Sequence, residues 1–253
     1  MNRAAVRVAS ALAGAGLMLV LWWIAAEADL VNQRLFPGPI ESIQAIGEGL
    51  SDKTLLTDVR ATLTRVVTAL GLAIVFAVPL GILLGACEPL YRILEFPIDF
   101  FRSTPVTALL PFFLLLFGIG DGAKVAVGAF AAGLLILFNV AYGVMAARPT
   151  RKQAALVMGA GRLRTLGTVT VFEALPQTFV GLRTGSSLAL VCIVVAEMFI
   201  GADDGIGRRI IDAQQTYNLA DVYGSIIVAG VIGFAINALL SQLDTRLVHW
   251  TGR

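Results

Sequence analysis

The residues whose types and spacing stand out most lie in one loop. Lys152-Gln153-Ala154-Ala155-Leu156-Val157-Met158-Gly159 is a polar, small-residue island between two strongly apolar segments. Positions 148–167 carry five basic residues (Arg148, Arg151, Lys152, Arg162, Arg164) and no acidic one. These side chains break no bonds; what they can do is dock. Ala154, Ala155 and Gly159 would let another protein's backbone come close, and Arg151, Lys152, Arg162 and Arg164 offer partners for carboxylates across an interface. Basic loops are also the ones retained on the cytoplasmic side of a membrane, and the two roles are compatible.

Bond-making chemistry finds little to work with elsewhere. The chain has one histidine, His249, and two cysteines, Cys87 and Cys192, both in apolar runs where packing is the expected role. No phosphate-cradling Gly-x-x-x-x-Gly-Lys-Ser/Thr loop occurs, so ATP hydrolysis would have to come from another chain. No paired carboxylates or activated nucleophile fall inside the apolar runs. No cofactor, metal or nucleic acid is expected.

Composition points to lipid as the solvent. Of 253 residues, 57% are hydrophobic and 14% charged, against about a quarter charged in a soluble domain. Mean hydropathy is +0.83. A membrane-crossing helix needs about 20 mostly apolar residues. Five uncharged runs, 8–26, 66–87, 103–120, 125–147 and 222–243, meet or approach that length. A sixth, 174–200, contains Arg183 and Glu197, which could snorkel toward the inner and outer interfaces. The expectation is an all-α, polytopic membrane protein: one domain over 1–253, six crossings, and a cytoplasmic loop at about 148–167.

Charge supports one orientation. Arg3 and Arg7, Arg92 and Arg102, the basic loop, and Arg246 and Arg253 all fall on one side if the N-terminus is inside. The opposite connections, 29–59 and 197–221, are acid-rich. Both termini are therefore expected in the cytoplasm. The first run reads as a retained anchor with Trp22-Trp23 at the interface; the other reading is a signal peptide cleaved near Ala26-Glu27-Ala28. Segment 40–64, weakly amphipathic, is expected at the outer interface.

Intramembrane polar groups are the candidates for a path through such a bundle. Asn139 either lines the path or ties two helices. Glu197 lines the outer mouth or is merely solvated. Arg183 attracts an anion or snorkels. Thr104 and Thr107 offer hydroxyls beside Pro105, where a proline kink would turn backbone toward a cavity. Ser186 and Ser187 are expected to bond back to their own helix.

The loop resembles that of binding-protein-dependent ABC importer permeases. Their pattern begins Glu-Ala-Ala with Gly six positions after the Glu, matched here by Gln153-Ala154-Ala155 and Gly159. Val169 fits the aliphatic position ten further on. Val171-Phe172 departs from the family's Leu-Pro, whereas Leu175-Pro176 and Gly181-Leu182-Arg183 are similar to the nitrate/sulfonate/taurine branch. So are Leu35-Phe36-Pro37-Gly38-Pro39, Pro79-Leu80-Gly81, Arg102-Ser103-Thr104-Pro105, Phe117-Gly118-Ile119-Gly120, Phe138-Asn139, Ala196-Glu197 and Gly205-Ile206-Gly207, in that order.

The resemblance implies a permease subunit with a type I core, whose loop is a coupling helix seated in a cytoplasmic ATP-binding subunit. It also implies an extracytoplasmic solute-binding protein, a bacterial inner membrane, and a permease pair, as a homodimer or with a sister chain. Gln153 in place of Glu removes a salt bridge from that position. The implied cargo is a small anion of the nitrate, sulfonate or taurine class; a thiamine-precursor pyrimidine is the alternative. An ion-gradient transporter would call for inverted repeats and midplane carboxylates, and the acids here cluster outside instead.

Overall fold

The computed structural model describes residues 3–28 and 35–248, which contain helices and no strand. Asp29, Arg34, His249, Arg253 and the side chains of Arg3 and Arg7 lie outside the described residues. In order, the helices are α1 (Arg3–Glu27), α2 (Pro39–Ser51), α3 (Thr54–Ala86), α4 (Glu88–Ser103), a 3-10 turn (Val106–Leu109), α5 (Leu110–Phe117), α6 (Asp121–Met145), α7 (Pro149–Val157), α8 (Arg162–Thr165), a π-helical turn (Leu166–Thr170), α9 (Val171–Phe199), α10 (Ile206–Gln215) and α11 (Leu219–Leu247).

A period of four organises the core. Ala69, Ala73, Ala77, Gly81 and Gly85 recur at every fourth position of α3 and form one smooth stripe. Without a hydrophobic force between helices in lipid, such small residues allow the close approach that holds them together. The stripe lies against α6. A Cβ on Gly81 would meet Val140 and the Leu137 carbonyl, and one on Gly85 would meet Val144 and the Ala141 carbonyl, all within 2.9 Å. Gly128 of α6 faces Ala69 in return. The pairs Gly81–Val140, Gly85–Val144 and Ala69–Gly128 each stand 59 positions apart, so α3 and α6 run parallel in fixed register.

That register dictates the rest of the topology. Two parallel, successive spans require the chain between them to cross back, so 87–120 must form a crossing. α9 runs antiparallel to α6, with Gly143 beside Ala174, Gly181 beside Ile136 and Asn139, and Gly185 beside Ala132. α11 runs antiparallel to α9, where Gly233 meets Leu190 and Arg183 meets Asn237. The ends of α3, α6 and α11 and the start of α9 therefore share one face, together with the loop 148–167.

Among the described residues four helices are long and apolar enough to cross a membrane: 54–86, 121–145, 162–199 and 219–247. The expected third crossing, 103–120, is not one helix. α4 and the 106–117 segment meet at a 93° bend. The cause is local: Pro105 offers no N–H and drives Thr104 into an extended conformation (φ −81°, ψ 131°). α5, with 8 residues, spans only about 12 Å, so the crossing is made in two pieces. The expected count of six thus becomes four straight crossings, one bent pair and α1, whose apolar part is Ala13–Glu27.

Boundaries differ from expectation elsewhere too. The interfacial segment expected at 40–64 divides at Lys53, which takes a left-handed φ of 65°, and α3 begins a full three turns before position 66. The fifth span starts at Arg162 rather than 174 and passes through the π turn. α1 is fastened at its C-terminal end, where Trp22 Nε1 donates to the Pro37 carbonyl (3.2 Å) and its ring stacks on Tyr223. Cys192 is buried in the bundle as expected, whereas Cys87 is exposed at the α3–α4 junction.

Candidate functional site

The basic loop folds as α7, α8 and the turn between them. Pro149 begins α7, a position where its missing N–H costs nothing. Gly159 ends it. Its φ of +84° is left-handed, and the Gly159 N–H bonds the Leu156 carbonyl while the Ala160 N–H reaches back to Ala155 O. Glycine is thus required here by the backbone, in addition to any need for a small surface. No atom lies within 4 Å of where its Cβ would be, so the outer side is open.

The cations of the loop divide into two pairs. Arg151 and Lys152 face their own chain. Arg151 Nη1 pairs with Glu173 Oε1 at 2.6 Å, and the other oxygen of Glu173 accepts the Arg148 N–H at 2.6 Å. Lys152 Nζ donates to the Val144 carbonyl (3.3 Å) at the end of α6. These contacts lash α7 to α6 and α9. Arg162 and Arg164 are exposed, as are Gln153 and Ala154, while Ala155 is buried beneath them. Arg151 also keeps about half of its side chain exposed (52%) beside Glu173, so of the four cations expected to dock only Lys152 is drawn part-way into the chain. Glu173 was missed because a lone carboxylate following an apolar stretch gives no sign of its partners.

The surface also carries apolar groups that sequence reading did not single out. Val157 is 88% exposed, Met158 80% and Leu163 85%. An exposed apolar cluster edged by arginines has the make-up of an interface centre with a charged rim. The sequence signal was present as Leu-Val-Met inside a polar island.

The path residues are placed in different settings. Asn139 ties helices: its Nδ2 donates to Leu135 O (2.8 Å), and its Oδ1 accepts from Gln177 Nε2 of α9 (2.8 Å). Gly181 makes this possible, since a Cβ there would stand 2.7 Å from that of Asn139. Thr104 turns its hydroxyl back to Phe100 O (2.8 Å) at the break in the bent crossing, and Thr107 is exposed on the 3-10 turn. Ser186 and Ser187 both donate to Arg183 O, as expected.

Glu197 is fully buried. Its carboxylate accepts from Arg65 Nη1 (2.6 Å), Thr62 Oγ1 (2.9 Å) and the Gly207 N–H (3.0 Å). Arg65 also bonds Asp121 Oδ1 (2.9 Å) and Asp204 O (2.8 Å), and buried Lys124 reaches Asp121 at 3.3 Å. In this conformation the carboxylate locks α3, α6, α9 and the start of α10 together rather than facing an open mouth. Gly205 and Gly207 belong to the lock: a Cβ on Gly207 would run into Val194 O and the Glu197 side chain. Thr62, within the segment expected at the outer interface, and Arg65, just ahead of the expected second span, both belong to α3, so a span that begins at 66 hides the lock.

Beyond the spans at the same end, Arg209 of α10 bonds Asp221 Oδ1 (2.8 Å), Thr54 Oγ1 (2.9 Å) and Asp58 Oδ2 (3.4 Å). Burial alone would loosen its proton, but the Asp221 and Asp58 carboxylates outweigh it and hold the guanidinium more firmly charged than usual. At the α2–α3 turn, the Thr54 N–H and hydroxyl hold the Asp52 carboxyl below its ordinary range.

Arg183 lies part-way along α9, ten residues from Glu173 and fourteen from Glu197, or about 15 and 21 Å along the axis. Its Nε donates to Asn237 Oδ1 of α11 at 2.8 Å, and it lines a cavity of about 660 Å³ with Leu135, Val180, Thr184, Ser187 and Asn237 among the walls.

Comparison with known proteins accords with this arrangement. Residues 77–253 match the family described as the binding-protein-dependent transport system inner membrane component. The chain is 31% identical over 241 residues to the taurine transport system permease protein TauC of Escherichia coli (strain K12), covering 93% of this chain and 87% of that one. It is 27% identical over 241 residues to the nitrate import permease protein NrtB of Synechocystis, covering 92% and 86%. Its fold is similar to a chain of the inward-facing MetNI methionine ABC transporter, with a TM-score of 0.67 and 20% identity over 77% of this chain and 96% of that one. The family match over 77–253 and the likeness to the taurine permease across nearly the whole chain show that this chain belongs to that inner-membrane component family, as the permease subunit of an ABC importer.

Proposed function

We propose that this permease carries a small anion of the taurine, sulfonate or nitrate class inward, powered through the loop 148–167. The cargo reading is carried by the likeness to the taurine permease across nearly the whole chain, and the nitrate permease supports it. The loop reading is carried by the exposed Val157, Met158 and Leu163, edged by Arg162 and Arg164, on a segment lashed to both α6 and α9. An ATP-binding subunit covering that patch would bury the apolar cluster and meet the arginines with carboxylates. A push on α7 would then reach two spans at once.

The loop face is cytoplasmic in this reading, because it bears Arg148, Arg151, Lys152, Arg162, Arg164 and Arg246, and basic residues set orientation. Both termini fall on that side, the apolar outer surfaces of α3 and α11 face lipid, and the core works as a pair, most simply two copies of this chain. Thr107 and the Thr104 hinge border the route in this arrangement; Asn139 and Glu197 hold the helices that frame it.

Two measurements test this. With its ATP-binding subunit and solute-binding protein in proteoliposomes, the complex should accumulate labelled taurine or nitrate only when ATP is supplied; ATP-independent uptake, or uptake of neither anion, contradicts the reading. A cysteine introduced by Val157→Cys should react with an impermeant maleimide only after cells are permeabilised. Labelling of intact cells would invert the topology.

A further inference from the structure

We infer that the cavity between α6, α9 and α11 is an anion subsite within the membrane, with the Arg183 guanidinium and the Asn237 side-chain amide as its donors to a small oxyanion. It rests on the anion reading above and goes further, naming where and by what the cargo is held.

Position comes first. Arg183 sits about 15 Å from the level of Glu173 and about 21 Å from that of Glu197; with the lipid interfaces taken near those levels, its stem is too short to reach either. Leu135, Val180, Leu188 and Val191 make the surrounding walls apolar, and the residues that line the cavity include no carboxylate. Among the described residues the only partner of its side chain is Asn237, which is neutral. The molecule's other deep cations, Arg65 and Lys124, are each paired with acids. A full charge at such depth, left without a counter-ion and aimed at a roomy cavity, is the mark of a ligand path rather than of a structural pin. A neutral amide pair, like Asn139 with Gln177 one stretch below, would tie α9 to a neighbour without that cost.

Donor geometry comes second. Arg183 Nε is committed to Asn237 Oδ1 at 2.8 Å. This leaves both terminal guanidinium nitrogens without a partner among the described residues, the pair that grips two oxygens of one oxyanion. The same bond fixes the Asn237 amide: its oxygen accepts, so its Nδ2 is left as a donor beside the guanidinium. The hydroxyls of Thr184 and Ser187 are already donating to backbone carbonyls of α9 and are not needed for the grip. A cavity of about 660 Å³ accommodates a small sulfonate, carboxylate or nitrate with water to spare.

The test uses the charge of a probe rather than transport. In the assembled complex with Cys87→Ser and Cys192→Ala, a Ser187→Cys variant places a thiol one helical turn from Arg183 in the same cavity. A sulfonate-bearing methanethiosulfonate should be favoured over the trimethylammonium analogue by at least about tenfold, relative to their rates with a free thiol, the ratio expected of opposite unit charges about 6 Å from the guanidinium even at the dielectric of water, about 80. Adding Arg183→Gln should abolish the preference, and Arg183→Lys should retain it. Millimolar methanesulfonate should slow the labelling while Arg183 is present. Equal rates with both reagents, a preference that survives Arg183→Gln, or a thiol that neither reagent reaches would overturn the subsite. Should Arg183→Gln not assemble, absence of protection by methanesulfonate in the Arg183 protein would overturn it instead. A complex that shows the Arg183-dependent preference yet imports no anion would keep the subsite and reject the cargo reading.

Discussion

The two ends of the bundle handle charge in opposite ways. At the end where α9 finishes, Glu197, Arg65 and Lys124 are buried and satisfied by one another, Asp121, Thr62 and the backbone of the α9–α10 segment. At the end where α9 begins, Arg162 and Arg164 stand in solvent beside exposed Val157, Met158 and Leu163. The first end satisfies its charges within the chain; the second leaves arginines and apolar side chains uncovered among the described residues. Charge at one end ties helices together, and charge at the other is what the proposed docking would use, although both draw on the same residue types.

The contrast is broken most severely from the closed end. Glu197→Ala would leave Arg65 buried with one carboxylate fewer, at a cost of about 3–5 kcal/mol. The expected result is a large fall in the amount and thermal stability of folded permease, measured by fluorescence size-exclusion after heating in detergent. An unchanged melting profile would mean that the lock contributes nothing.

The open end should behave differently. Gly159→Glu forces a side chain into a left-handed backbone, at about 1–2 kcal/mol, and sets a carboxylate in the docking patch. The permease should still insert, while its ATP-binding subunit is lost on co-purification. Joint recovery in normal ratio would remove Gly159 from the docking surface.

The finest probe separates the loop's two pairs of cations. Arg162→Glu with Arg164→Glu should weaken the partner roughly tenfold, in a salt-sensitive way, with little effect on the permease itself. Arg151→Ala should do the reverse, loosening α7 from Glu173 by about 1 kcal/mol or less. If partner affinity, titrated at low and high salt, responds equally to both, the division read from the geometry is wrong.

The all-helical membrane class and the family were legible because each rests on composition or on local motifs such as Gln153-Ala154-Ala155 and Gly159. The bent crossing was not, although Pro105 marks a kink: an 18-residue uncharged run passes any length test, the parallel register of α3 and α6 requires only that the chain return, and the 93° bend at Pro105 is what divides that return into two pieces. The period-four stripe from Ala69 to Gly85 was readable in principle and would have given that register. Glu197 fits neither of its expected settings, outer mouth or solvent, since it is sealed by Arg65, Thr62 and Gly207, while Arg183 stands beside a cavity, the setting that its anion-attracting alternative calls for. Burial and partner identity decide such roles, and neither is a property of a residue's neighbours in sequence.

One rod joins the places that matter. From Glu173 at its foot to Glu197 at its head, α9 is about 36 Å long, with Arg183 part-way along. Tilting it by about 10° around the foot would swing the head by roughly 6 Å, far beyond the reach of a hydrogen bond. The helix is thereby a lever: a small displacement of the α7 knob at its foot is magnified at the far latch, and the arginine on its shaft travels through only part of that arc.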